Sequence, residues 1–68
     1  MKNSIKVERA RHNLTQQDLA EKVQVSRQTI NSIEAGKYVP STVLALKIAQ
    51  VFNIPVEEIF ELEASDFS

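Results

Sequence analysis

The segment Arg27–Ile33 concentrates side chains that can hydrogen-bond to the edges of nucleic-acid bases. Its polar members are Arg27, Gln28, Asn31 and Ser32, with Thr29 beside them. On a helix, Ile30 and Ile33 share one face, and this polar set is left on the opposite face. Arginine can donate two hydrogen bonds to guanine, and glutamine or asparagine can pair with adenine. We therefore expect the exposed face of this helix to read base edges, the alternative being an ordinary solvated surface.

A second helix is predicted directly before this segment, joined to it by a very short connection. Thr15 is a favourable N-cap, and Asp18 three residues later completes an approximate capping box. Ser26 is again an N-cap residue, which leaves only two residues between the helices. The small side chain of Ala20 lets two helices cross steeply at close distance. Residues 16–35 are therefore predicted to form a helix-turn-helix.

Polar residues at the starts of these two helices, and just after the second one, are suited to hold phosphate groups. Backbone N–H groups at a helix N-terminus bind phosphate oxygens, and short polar side chains assist them. The predicted phosphate contacts are Gln16, Ser26, Thr29, Lys37 and Tyr38. For Lys37 and Tyr38 the alternative is a solvated loop.

The rest of the sequence predicts an all-α domain of five helices. The first helix spans about Ser4–His12, and Asn13 follows at a position where helices often end in a left-handed residue. Ser41 caps the fourth helix, and Asn53 ends it. The apolar face of that helix consists of Leu44, Ala45, Ile48, Ala49 and Phe52. Pro55 is expected to open a short fifth helix.

A short strand is predicted after the fifth helix. Its apolar residues Phe60, Leu62 and Ala64 alternate with Glu61 and Glu63, and a period of two is typical of a strand. A lone strand needs a partner, and the extended N-terminus at Met1–Asn3 is the free candidate. The two ends of the chain could then form a small two-stranded sheet.

Length and charge indicate a single domain, residues 1–68, with two unlike halves. Residues 1–38 carry seven Lys and Arg against four Asp and Glu, whereas residues 39–68 carry one against five. The formal net charge is −1. A basic half joined to an acidic half suits a protein with one DNA-facing surface and another surface facing elsewhere. So short a chain buries a modest share of its surface, so we expect self-association to stabilise it.

Several classes of site are excluded by composition. The chain has no cysteine and a single histidine, His12, so disulfides and a thiolate metal site are excluded. It has no apolar run long enough for a membrane helix, and its first residues lack the apolar core of a signal peptide. We expect a cytoplasmic protein that uses no cofactor, does not associate with membranes and has no evident small-molecule ligand.

The segments Thr15–Val23 and Val25–Lys37 resemble the helix-turn-helix of the Cro and repressor (Xre) family of phage and bacterial regulators. The resemblance extends over nearly the whole chain. The smallest stand-alone members of that family, the cytolysin-repressor group, are similar in further segments: Ser26–Glu34, Lys37–Tyr38, Pro40–Ser41, Ala45–Ala49 and Glu58–Phe60. In combination these segments are highly specific.

This resemblance implies a five-helix, lambda-repressor-like domain whose third helix is the recognition helix. It implies a homodimer on a roughly palindromic operator in double-stranded DNA, with base and phosphate contacts at the residues named above. In the cytolysin-repressor group the chain ends pair as short strands. Family members often pair an arginine of the first helix with a glutamate at the end of the third, here Arg9 and Glu34. One departure is Gln24, which stands where the family usually has glycine.

The region 53–66 is the predicted dimerisation region. Five short helices leave the last one at the surface, and an exposed apolar patch there marks an interface. The predicted interface residues are Pro55, Val56 and Ile59, and the alternative for Ile59 is a place in the core. The resemblance places the dimer contact of the family in this region.

Two other functions compete with that of a DNA-binding repressor. A protein-binding module, such as an antitoxin or adaptor, would use the acidic segment Glu61–Asp66 and would not need Arg27. An enzyme is disfavoured, because the sequence offers no nucleophile paired with a base, no carboxylates clustered with a histidine and no glycine-rich phosphate loop. A bare DNA-binding dimer most simply represses, by blocking polymerase.

Overall fold

The computed structural model describes all residues from Met1 to Ser68 and contains four α-helices. They are α1 (Ile5–Arg11), α2 (Gln16–Val23), α3 (Arg27–Glu34) and α4 (Thr42–Phe52). Two short strands, β1 (Lys2–Asn3) and β2 (Phe60–Glu61), pair antiparallel, and 3₁₀ turns occupy Val56–Glu58 and Ala64–Phe67. None of the helices is long and apolar enough to cross a lipid bilayer.

The core consists of buried apolar side chains contributed by all four helices and by Ile59. Eleven residues form it: Ile5, Leu19, Ala20, Val23, Ile30, Ile33, Leu44, Ile48, Ala49, Phe52 and Ile59. Helix α2 packs against both α3 and α4, and Ala20, which has no exposed surface, permits the close approach. Helix α3 contributes only Ile30 and Ile33 to this core, so the core holds α3 by one face and leaves the other face outside.

Side-chain caps set the starts of three helices where the sequence predicts them. The Thr15 hydroxyl accepts from the Asp18 N–H, and the Asp18 carboxylate accepts from the Thr15 N–H, both at 2.9 Å. These hydrogen bonds hold the pKa of the Asp18 carboxyl below its usual range. The Ser26 and Ser41 hydroxyls each accept from the N–H three residues later, at 3.1 Å. The predicted capping box is confirmed.

A left-handed residue lies at or just after the end of each of the four helices. The φ angles are 55° at Asn13, 63° at Gln24, 57° at Asn53 and 76° at Gly36. Asparagine and glycine adopt this conformation readily, whereas a residue such as glutamine costs about 1–2 kcal/mol there. Gln24 is therefore strained. Its side chain accepts a hydrogen bond from Lys47 Nζ at 3.3 Å, which ties the turn between α2 and α3 to α4.

The prediction of a fifth helix is wrong, because a single 3₁₀ turn stands in its place. Pro55 has an extended backbone, with ψ 145°, and only Val56–Glu58 follow before the chain turns inward. The next residue, Ile59, is 2% exposed and lies in the core. Phe60 must then be extended to pair with β1. Because Ile59 is buried in the core and Phe60 pairs with β1, only one turn fits between Pro55 and Ile59.

The two ends of the chain pair as predicted, although the strand is shorter than the alternating pattern suggests. Lys2 faces Glu61 and Asn3 faces Phe60, and the pairing stops there. Leu62 is 61% exposed, and Ala64 begins a 3₁₀ turn instead of continuing the strand. The N-terminal strand has only two residues, so β2 has no partner beyond Glu61. The Asn3 side chain also donates to the Ile33 carbonyl at 2.9 Å, which anchors the sheet to the end of α3.

We expect Gln24→Gly to raise the free energy of unfolding by about 1 kcal/mol, because glycine removes the left-handed strain. Gln24→Ala is the matched control, since it deletes the same hydrogen bond from Lys47 and keeps a β-carbon. Urea unfolding at unchanged m-value measures the difference. Equal stability of the glycine and alanine variants would show that residue 24 is not strained.

Candidate nucleic-acid interface

The exposed face of α3 carries the side chains that the sequence predicts to read bases. Ile30 and Ile33 are 0% and 1% exposed, and they fix the inner face of the helix. Arg27, Gln28 and Asn31 are exposed, and Ser32 and Thr29 are half-buried. The division between an apolar and a polar face is therefore confirmed. The outer face of α3 presents hydrogen-bonding groups on a helix short enough to lie in one turn of the major groove.

A shallow open hollow lies beside α3 and brings predicted base-reading and phosphate-binding residues together. It is lined by Ser26, Gln28, Thr29, Ser32, Lys37 and Tyr38. Tyr38 is 49% exposed, so its ring and hydroxyl are available at the rim. Asn31 lies instead toward the start of α2, where it contacts Gln16. The residues predicted to read bases or bind phosphate therefore lie on two sides of α3.

The N-terminal end of α3 offers backbone donors to an anion. Ser26 Oγ accepts the Thr29 N–H at 3.1 Å and lies 2.9 Å from the Thr29 hydroxyl, so these two side chains cap the helix. The N–H groups of Arg27 and Gln28, at the first two positions of the helix, have no intrahelical partner by the geometry of an α-helix. Together with the helix dipole they favour a phosphate oxygen at this end.

Positive charge near α3 is available because it is not neutralised within the chain. Arg9 pairs with Glu34, and Arg11 pairs with Glu8 at 3.0 Å. Arg27 and Lys37 have no carboxylate within ion-pairing distance. Arg27 on the exposed face of α3 and Lys37 just after the helix are therefore free to approach an anionic partner.

A largely buried ion pair joins α1 to the end of α3. The Glu34 carboxylate accepts from Arg9 Nε at 2.7 Å and from Arg9 Nη2 at 3.0 Å. The two side chains are only 14% and 9% exposed, and the carboxylate raises the pKa of the Arg9 guanidinium. Arg9 Nη1 also donates to the Leu14 carbonyl at 3.0 Å. The predicted structural pair is confirmed.

Gln16 connects this ion pair to Asn31 on the exposed face of α3. Gln16 Nε2 donates to Glu34 Oε1 at 3.2 Å, and Gln16 Oε1 accepts from Asn31 Nδ2 at 3.5 Å. Gln16 is separated from Asn31 and Glu34 by 15 and 18 residues along the chain. No local pattern signals such a contact, because it exists only once α2 and α3 have crossed.

The predicted interface residues occupy different environments. Pro55 is exposed, Val56 is half-buried and Ile59 lies in the core, so Pro55 and Val56 supply the surface there. They border a hollow lined by Ala49, Gln50, Asn53, Ile54, Pro55 and Val56. Leu46, one helical turn before Gln50 on the same face of α4, is 54% exposed. Apolar surface therefore continues from the end of α4 into the 3₁₀ turn.

Helices α2 and α3, crossing at a buried alanine and joined by a short turn, define a helix-turn-helix protein. The helix-turn-helix family pattern matches residues 5–59, which is most of the chain. The chain belongs to this Xre-type helix-turn-helix family, as the resemblance in its sequence implied. The family is not an enzyme family.

Relatives of similar length are found in archaea and bacteria. An uncharacterized HTH-type transcriptional regulator of Methanocaldococcus jannaschii is 60% identical over 63 residues, which covers 93% of this chain and 96% of the relative. The uncharacterized HTH-type transcriptional regulator YgzD of Bacillus subtilis is 51% identical with the same coverage. The match therefore spans nearly the full length of both relatives.

Two solved structures share the fold. The SOS-response transcriptional repressor LexA of Eubacterium rectale is 27% identical, with a TM-score of 0.77 over 88% of this chain and 64% of that chain. The clp gene regulator ClgR of Corynebacterium glutamicum is 24% identical, with a TM-score of 0.74 over 79% of this chain and 57% of that chain. This chain spans less than two thirds of either solved chain.

We expect Arg9→Met to lower the free energy of unfolding by about 3 kcal/mol, because the Glu34 carboxylate would be left buried without its partner. The double variant Arg9→Met/Glu34→Leu should recover most of that loss, since it buries no charge. Chemical unfolding of the two single variants and the double variant closes a double-mutant cycle. Additive losses would contradict a direct coupling between the two side chains.

Proposed function

We propose that this protein is a sequence-specific DNA-binding transcriptional regulator that represses as a homodimer on a palindromic operator. The observation that carries the proposal is the outer face of α3, where exposed Arg27, Gln28 and Asn31 stand on a helix whose inner face is locked into the core. Membership of the helix-turn-helix family and the names of the relatives support regulation of transcription through DNA.

In this proposal α3 enters the major groove. Arg27 and Gln28, in its first turn, and Asn31 and Ser32, in its second, read base edges. The backbone donors at the start of α3 hold one phosphate, and Lys37 and Tyr38 hold the backbone on the other side of the hollow. Gln16 keeps a second N–H on Nε2 for a phosphate, because only one of the two is needed by Glu34.

A dimer is proposed because one copy of α3 reads too little sequence. A single helix of this length reaches about four base pairs, and each correct contact contributes only about 1–3 kcal/mol of discrimination. A twofold dimer places two recognition helices about 34 Å apart, one turn of DNA. The apolar surface of Leu46, Pro55 and Val56 is the candidate contact between the copies. Repression follows from occupancy, because the bound dimer excludes polymerase from the same DNA.

Alanine substitutions of Arg27 and Lys37 should distinguish base reading from phosphate binding. We expect Arg27→Ala to weaken binding to the operator by about 1–3 kcal/mol per half-site and to weaken binding to random DNA far less. Lys37→Ala should weaken both by similar factors and reduce the salt slope by about 1 for each phosphate that is no longer neutralised. Fluorescence anisotropy with both DNAs over a salt series measures these effects, with Lys6→Ala, an exposed lysine with no assigned role, as the control.

An unchanged preference for operator over random DNA in Arg27→Ala would contradict the base-reading assignment. If selection from a random DNA pool enriched no sequence at all, the protein-binding alternative would replace the proposed function. Variants of Glu61 and Asp66 would then be tested for binding to a captured protein partner.

Val56 should be needed for the dimer and for a palindromic site. We expect Val56→Glu to sediment as a monomer and to select half-sites from a random DNA pool, since two carboxylates would meet across the twofold axis. The wild-type protein should have the mass of a dimer and select half-sites about one turn apart. Val7→Glu, at a valine that is 52% exposed on α1, controls for the added charge. A dimeric Val56→Glu would place the interface elsewhere.

A further inference from the structure

The Glu34 carboxylate is the fixed point of a hydrogen-bonded chain that ends on the recognition face. An ionised carboxylate only accepts hydrogen bonds, and Glu34 accepts two from the guanidinium of Arg9, at 2.7 Å and 3.0 Å. With 9% of its side chain exposed, Glu34 has little water to bond instead. Any amide that contacts Glu34 must therefore turn its NH₂ group toward it.

Gln16 transmits this constraint on amide orientation to Asn31. Gln16 meets Glu34 through Nε2 at 3.2 Å, so its Oε1 must face the other way. Oε1 is an acceptor, and the neighbour that it meets is the Asn31 amide at 3.5 Å. Asn31 must then direct an N–H of Nδ2 toward Gln16. Its Oδ1, and the second N–H of Nδ2, are left for the exposed side of α3.

We propose that Glu34 and Gln16 are positioning residues that fix the amide of Asn31, so that Asn31 reads adenine in preference to guanine. This inference rests on the proposed function. Adenine presents a donor, N6–H, and an acceptor, N7, in the major groove. Oδ1 and the free N–H of Asn31 match these two groups. Guanine presents two acceptors, O6 and N7, and the oxygen of Asn31 would face an acceptor there.

Glu34→Gln removes this constraint on orientation. Glu34 Oε1 accepts from both Arg9 Nη2 and Gln16 Nε2, and Oε2 accepts from Arg9 Nε. An amide at residue 34 keeps part of these contacts whether its oxygen or its NH₂ group faces Gln16. Gln16 and Asn31 are then not held in one orientation. When Asn31 turns both N–H groups of Nδ2 outward, it matches the two acceptors of guanine.

Selection from a random DNA pool, followed by sequencing, tests the inference with the full chain. Wild-type protein and Asn31→Ala are compared first, and the position whose preference disappears in Asn31→Ala is the base read by Asn31. At that position we expect wild type to favour adenine over guanine by about tenfold. Glu34→Gln should reduce the preference for adenine over guanine at that one position and leave the positions read by Arg27 and Gln28 unchanged.

Gln16→Met provides a second variant that leaves the ion pair intact, in case Glu34→Gln does not fold. It breaks the chain between Glu34 and Asn31, so we expect the Asn31 position to accept adenine and guanine about equally. Gln17→Met is the matched control, because Gln17 is the neighbouring glutamine on α2 and bonds only to Glu21, at 2.9 Å. It should retain the wild-type preference for adenine.

The outcomes separate this inference from the proposed function. A wild-type motif with guanine or thymine at the Asn31 position, or a preference that Gln16→Met leaves intact, overturns the orientation of Asn31 while the protein remains a sequence-specific DNA binder. A uniform loss of affinity in Gln16→Met without a change in base preference also overturns it, because that is the result of a purely structural role. The absence of any wild-type motif overturns the proposed function, and this inference with it.

Discussion

The placement of the exposed face of α3 depends on one largely buried charge, the carboxylate of Glu34. A carboxylate removed from water must be paired and hydrogen-bonded, and Arg9 of α1 supplies both at 2.7 Å and 3.0 Å. The third donor of Arg9 holds the Leu14 carbonyl just before α2. One guanidinium therefore fixes the end of α3 against α1 and against the start of α2. An apolar pair could fill the same space, but it would leave Gln16 without an orientation.

Polar contacts help to hold α3 in place because few of its side chains are buried in the core. Helix α3 contributes two of the eleven core side chains, Ile30 and Ile33, and its other face is exposed. The C-terminal end of α3 is held by polar contacts as well. Glu34 bonds there to Arg9 and Gln16, and the Asn3 side chain donates to the Ile33 carbonyl.

The sequence predicts what is encoded locally. The capping residues Thr15, Ser26 and Ser41 define the helix starts, and all three caps form. The polar face of α3 follows from helical spacing alone. The prediction of a fifth helix was wrong because Ile59 is buried in the core. The predicted strand was too long because its partner β1 consists of only two residues and ends at Asn3. The contact of Gln16 with Asn31 could not be predicted, since it depends on the crossing of two helices and not on any spacing.

The charge distribution shows why a net charge of −1 is compatible with an anionic partner. Two cations of α1 are neutralised inside the chain, Arg9 by Glu34 and Arg11 by Glu8, whereas Arg27 and Lys37 beside the recognition face are unpaired. With so small a net charge, long-range attraction to DNA is weak. Short-range contacts must then supply a larger share of the affinity. In the proposed function, such a regulator gains selectivity from its low charge, because binding to DNA that does not match the face of α3 has little electrostatic support.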